Sequence, residues 1–136
     1  MNWRLIIKVH PKEFKWIYSS LLSMVPKQQA KYVVVVQTID VHDLIASSEV
    51  LVTYFSFTAM EALALGTPVV RMNMAGSVRF PEFDSSIELT SARTFEQLKG
   101  QLYRVMYGNE RTASERHHRG QCFAHMYFQT SCDGAP

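Results

Sequence analysis

Apolar and polar positions along the chain alternate between two rhythms, and each rhythm predicts an element. Leu5-Ile6-Ile7-Lys8-Val9 is a short β-branched run that stops at His10-Pro11, which predicts a first strand. Phe14, Ile17, Tyr18, Leu21 and Leu22 then fall at helical spacing, predicting a helix over 11–24 that Pro26 ends. Four consecutive valines inside 31–37 predict a second strand buried on both faces. Asp40 reads as an N-cap, with Asp43 in the first turn and Val41, Leu44 and Ile45 as the inward stripe of a short helix. A third strand is expected over 49–53, a crossing loop over 54–58 and a helix over 59–65 with Gly66 at its C′ position. Residues 67–72 read as a fourth strand.

Residues 73–86 show no period and hold Gly76 and Pro81, so they read as a long loop. A short fifth strand is expected over 87–89. Thr94-x-x-Gln97 is a capping box opening a helix with Phe95, Leu98, Leu102, Val105 and Met106 on one face, closed by Gly108. A last helix is expected from Asn109 to about Tyr127, and a frayed tail over 129–136. Strands alternating with helices imply parallel pairing with right-handed crossovers. The expected fold is α/β: a Rossmann-like doubly wound parallel sheet in three α/β/α layers, one domain over 1–128 and a tail.

Composition narrows the picture. With 136 residues, 47% hydrophobic and 19% charged, the chain can bury roughly two thirds of its unfolded surface without staples. The net charge of +2 is spread along the chain, so no basic cluster points to nucleic acid. Cys122 and Cys132 are too few for a disulfide framework, which fits a reducing, cytoplasmic setting. The N-terminus lacks the apolar length and cleavage site of a signal peptide, and no apolar run is long enough to span a bilayer.

Ligands of an open parallel sheet bind beyond the C-terminal strand ends. The residues there are His10, Thr38 to Asp40, Tyr54 to Thr58, and Asn73 to Gly76. The stretch Ser56-Phe57-Thr58 enters a helix, where amide N–H groups and two hydroxyls favour an anion such as phosphate. Glu61, one turn on, suits hydrogen bonds from sugar hydroxyls. The plainer alternative is that Ser56 or Thr58 caps the helix and Glu61 completes a capping box.

On these residues the chain resembles the C-terminal, nucleotide-sugar-binding half of GT-B-type glycosyltransferases and the related UDP-N-acetylglucosamine 2-epimerases. Val50 to Thr53, then Ser56-Phe57-Thr58, then Glu61-Ala62 through Gly66-Thr67-Pro68-Val69-Val70 match the family's strand, hydroxyl loop, Glu-Ala and Gly-x-Pro-Val pattern. Asp43 to Glu49 is similar to its helix-to-strand junction. Ile7-Lys8-Val9-His10-Pro11 and the Asp133-Gly134 close resemble elements of bacterial capsule and teichoic-acid polymer transferases. The resemblance implies that His10 approaches the donor's phosphates, that Ser56 and Thr58, with the helix N-terminus, bind the pyrophosphate, that Phe57 between them belongs to the donor-binding set, and that Glu61 holds the ribose. It places Gln37 to Asp43, with Thr38 and Asp40, beside the base.

It implies a nucleotide-sugar or CDP-alditol donor and no metal, in keeping with the lack of an Asp-x-Asp motif. Retaining members carry a second Glu eight positions before the one matching Glu61, where this chain has Thr53. The half that carries the acceptor site and catalytic base is missing, so the expected chain is a fragment or split subunit. It would bind a donor and would not transfer it alone. Its expected partner is that missing domain or subunit, which would hold it at the inner face of the membrane. The alternatives are half of an epimerase and a non-catalytic α/β interaction module.

Other candidates are blander. His42 reads as solvated, and Arg71 and Arg79 as solvated residues flanking the loop. Phe14, Trp16, Tyr18 and Phe95 read as core or domain-contact residues. His117, His118, Cys122, His125 and Cys132 match no compact zinc spacing, and Cys122 reads as a small core hydrophobe.

Overall fold

The structure is a computed structural model that describes residues 3–54, 56–74 and 89–108. The expected loop beyond residue 74, the strand residues 87 and 88, the last helix and the tail lie outside the described residues. So do Phe55, Arg79 and every cysteine and histidine after residue 108. The chain divides into two compact units, Met1–Val41 and His42–Pro136.

In the first unit, strand β1 (Leu5–Lys8) pairs in parallel with β2 (Val33–Val36), Leu5 opposite Val33 and Lys8 opposite Val36. Bonds from Leu5 N–H to the Tyr32 carbonyl and from Val9 N–H to that of Val36 extend the ladder at each end. Helix α1 (Lys15–Ser23) contacts β2, and the single turn α2 (Lys27–Ala30) follows Pro26. α1 starts later than the apolar spacing predicts. The Lys12 N–H donates to His10 Nδ1 and the Glu13 N–H to the His10 carbonyl, so local bonds hold 10–13 in a turn.

Burial here departs from expectation. Val34 is 45% exposed, so β2 is not covered on both faces. α1 has no buried residue, and Phe14 and Trp16 are each 66% exposed, which removes them from the core. Helical spacing establishes a stripe, but a two-stranded ribbon has too little area to cover it.

In the second unit, β3 (Leu51–Thr53), β4 (Val69–Met72) and β5 (Leu89–Ala92) form a parallel sheet in that order. The strands thus lie in two small sheets, where the sequence pattern suggests one. Helices α3 (Val41–Ala46), α4 (Thr58–Ala64) and α5 (Phe95–Tyr107) complete the described elements. The fold class is mixed α/β with parallel strands. No helix among the described residues is long and apolar enough to cross a membrane.

The core of this unit gathers Ile45, Ala59, Met60, Ala62, Leu63, Val69, Val70 and Ala92. α4 supplies four of these at one-face spacing, and burying a side chain such as Leu63 contributes about 1.5–3 kcal/mol. Gly66 ends α4 with φ 81°, as its C′ position predicts. Its N–H donates to the Leu63 carbonyl and the Thr67 N–H to that of Ala62, the paired bonds of a Schellman close. The buried Thr67 hydroxyl donates to the Ile45 carbonyl at 2.9 Å, tying the end of α3 to this turn.

β5 runs past the expected end at residue 89 through Thr90 and Ser91 to Ala92, an extension the sequence hides because Thr90 and Ser91 carry little apolar signal. Arg71 sits opposite Ser91 in the register. It is 6% exposed and donates from Nε to the Ser91 hydroxyl at 3.2 Å, so the expected solvated arginine is a buried one. The Thr94 hydroxyl accepts the Gln97 N–H at 3.2 Å, as the capping motif predicts. The Gln97 side chain reaches back one residue further than the usual box, accepting the Arg93 N–H at 2.7 Å. Phe95 is exposed and does not join the core.

Candidate functional site

Each unit carries part of the expected set and is described by itself. In the first unit, the exit of β1 is a polar knot. Lys8 Nζ donates to the Gln37 carbonyl at 2.5 Å, and the Gln37 carboxamide donates to the carbonyls of His10, Pro11 and Glu13 at 3.2, 3.4 and 2.9 Å. Glu13 Oε2 accepts from the His10 N–H at 3.3 Å and from the Tyr18 hydroxyl at 2.9 Å. The Glu13 bond holds the Tyr18 phenol above the usual tyrosine range, because ionisation would lose that bond beside a carboxylate.

His10 is exposed, with Nδ1 accepting the Lys12 N–H at 3.1 Å. That bond selects the imidazole tautomer with its proton on Nε2. Thr38 and Asp40 are exposed, and Asp40 immediately precedes α3.

In the second unit, Ser56, Phe57, Thr58 and Glu61 are brought together by the entry to α4. Ser56 Oγ accepts the Thr58 N–H at 3.1 Å and donates to Thr58 Oγ1 at 2.7 Å. The Ala59 N–H donates to the Ser56 carbonyl at 3.1 Å and the Met60 N–H to that of Phe57 at 2.9 Å. The amides expected to grip an anion are therefore already engaged within the turn. Ser56, one residue before the N-cap position Phe57, supplies the capping hydroxyl. The Thr58 hydroxyl accepts from Ser56, which leaves its own proton to donate.

Glu61 completes no box with Thr58. Its Oε1 lies 3.5 Å from His42 Nε2, and its side chain stays 40% exposed. His42 is thus the partner of this carboxylate, not simply a solvated residue. No sequence signal marks that pairing, since the two residues stand on different helices. Phe57 is 81% exposed at the helix entrance. One hydroxyl donor, an accessible carboxylate and an open aromatic face can together hold a polyhydroxylated ligand carrying a ring. Among the described residues, no group of three metal-ligating side chains converges. No protein-family model, curated protein or solved structure matches the chain.

Proposed function

We propose that the chain is the nucleotide-sugar donor-binding half of a GT-B-type, metal-independent glycosyltransferase or glycerophosphotransferase of surface-polymer synthesis. The proposal includes a Rossmann-like three-layer arrangement. The single observation that carries it is the state of Glu61: the carboxylate sits half-exposed, one turn from two hydroxyls, and is not turned into the apolar core. In this reading Glu61 accepts hydrogen bonds from the ribose diol while His42 holds its Oε1. The Thr58 hydroxyl donates to a phosphate oxygen, with Ser56 orienting it. The Phe57 ring lies open to stack on a base or sugar face.

Calorimetric titration with UDP and CDP tests this. Expected is saturable binding of one of them, weakened roughly tenfold or more in Glu61→Gln, which takes the charge and one acceptor oxygen from the ribose site, and in Thr58→Val, which deletes the donor to the phosphate. Circular dichroism of each variant should match the parent. Failure of both nucleotides to bind a natively folded chain overturns the reading, as does binding that neither variant changes.

A further inference from the structure

Helix α1 is covered along one side only. Tyr18, Leu22 and Val25 are half-buried, at the four- and three-residue spacing of one stripe. Ile17, Leu21 and Met24 repeat that spacing one position earlier and are all exposed, Met24 at 80%. At the helix entrance Phe14 and Trp16 add two open rings with their centroids 6.5 Å apart. Large apolar side chains thus face outward along the whole stretch 14–24. An exposed apolar surface of that kind marks a place of contact.

The charge around this stretch has one sign. α1 contains no acidic residue. Lys12, Lys15 and Lys27 lie at its two ends and are exposed. Glu13, the carboxylate next to the helix, is engaged through Oε2 by the His10 N–H and the Tyr18 hydroxyl. Residues 1–41 hold six Lys and Arg against two Asp and Glu, whereas residues 42–136 hold eight against ten. The net +2 is therefore +4 on the first unit and −2 on the second, so charge that reads as spread along the chain is unevenly divided between the units.

An apolar stripe with ammonium groups at its ends has its complement at a bilayer surface that carries anionic headgroups. The apolar side chains enter the headgroup boundary, the tryptophan ring rests at it, and the lysines reach phosphates on flexible stems. A second copy of the chain is a poor complement, because joining two such faces brings like charges together. We propose that this face of α1 docks the chain on a membrane surface bearing anionic lipids. The contact is made by the chain's own helix, without the missing domain or subunit. None of these residues belongs to the Ser56–Glu61 cluster, so the proposal stands independently of the donor reading.

Sedimentation of the full chain with vesicles tests it, using phosphatidylcholine alone and phosphatidylcholine mixed with phosphatidylglycerol. The chain should partition onto the mixed vesicles and far less onto the neutral ones. Leu21→Ser combined with Met24→Ser should weaken that partition roughly tenfold or more. Lys12→Gln and Lys15→Gln should each weaken it about fivefold. In Trp3→Phe, which leaves Trp16 as the sole tryptophan, fluorescence should shift to the blue on the mixed vesicles. The substituted side chains on α1 are exposed, so these variants should keep the parent's circular dichroism and its UDP or CDP titration. Equal partition onto both vesicles, or none by a folded chain, overturns the proposal. So does partition that the paired apolar substitutions leave unchanged. Polyglutamate is the soluble comparison: a chain that binds it and not the vesicles carries a site for an acidic protein, which also overturns the proposal.

Discussion

Glu13 gathers a backbone amide and a phenol on one carboxylate oxygen, and that small arrangement carries a pH-dependent consequence. The raised Tyr18 value means the folded state favours the protonated phenol. Its contribution to stability is full below the ordinary tyrosine value of about 10 and is lost as pH rises through the raised value. A 295 nm absorbance titration, with Tyr18→Phe subtracted, should show Tyr18 ionising later than an ordinary tyrosine. Glu13→Gln should bring it back down by removing the charge. No difference between parent and Glu13→Gln would show that this contact is not held in solution. At the same scale Gln37 explains why His10 sits in a turn: one carboxamide spans three carbonyls that a helix beginning at Pro11 would have used.

Element boundaries divide by how local their causes are. α4 ends where Gly66 adopts a backbone conformation that a Cβ opposes. Gly66→Ala should cost about 1–2 kcal/mol and lower the melting temperature measured by circular dichroism. An unchanged melting temperature would mean that the turn relaxes without cost. α5 likewise opens where Thr94 caps it, and both ends were readable from residues within one turn. The start of α1 was not, because Gln37, far along the chain, stabilises the competing turn. β5 extends past its expected end for a related reason: Thr90 and Ser91 are held in the strand by pairing with Val70 and Arg71, not by their own hydrophobicity.

Across the molecule, stability is uneven. β4 has a hydrogen-bonded neighbour on each side, and Val69, Val70 and Arg71 are all buried. β1 and β2 form a two-stranded ribbon in which Leu5, Ile6 and Val34 remain exposed, and among the described residues of that unit only Val9 is fully buried. Amide hydrogen exchange should therefore be slowest at Val69 to Met72 and markedly faster at Leu5 to Lys8 and Val33 to Val36. Equal protection in the two sheets would refute this ranking. The exposed apolar residues of α1 belong to the same unevenness, since a narrow sheet cannot bury a full helical stripe.

Sequence alone determined the features that depend on near neighbours: parallel strands between helices, the glycine close of α4, the threonine cap of α5, and the grouping of Ser56, Thr58 and Glu61 at one helix entrance. Each follows from backbone angles or bonds spanning a few residues. Only the tertiary structure decided that Glu61 meets His42, that Arg71 is buried against Ser91, and that the strands divide into two sheets. Those outcomes depend on which distant segments pair and in what register, and one local pattern of polar and apolar positions is compatible with several such pairings.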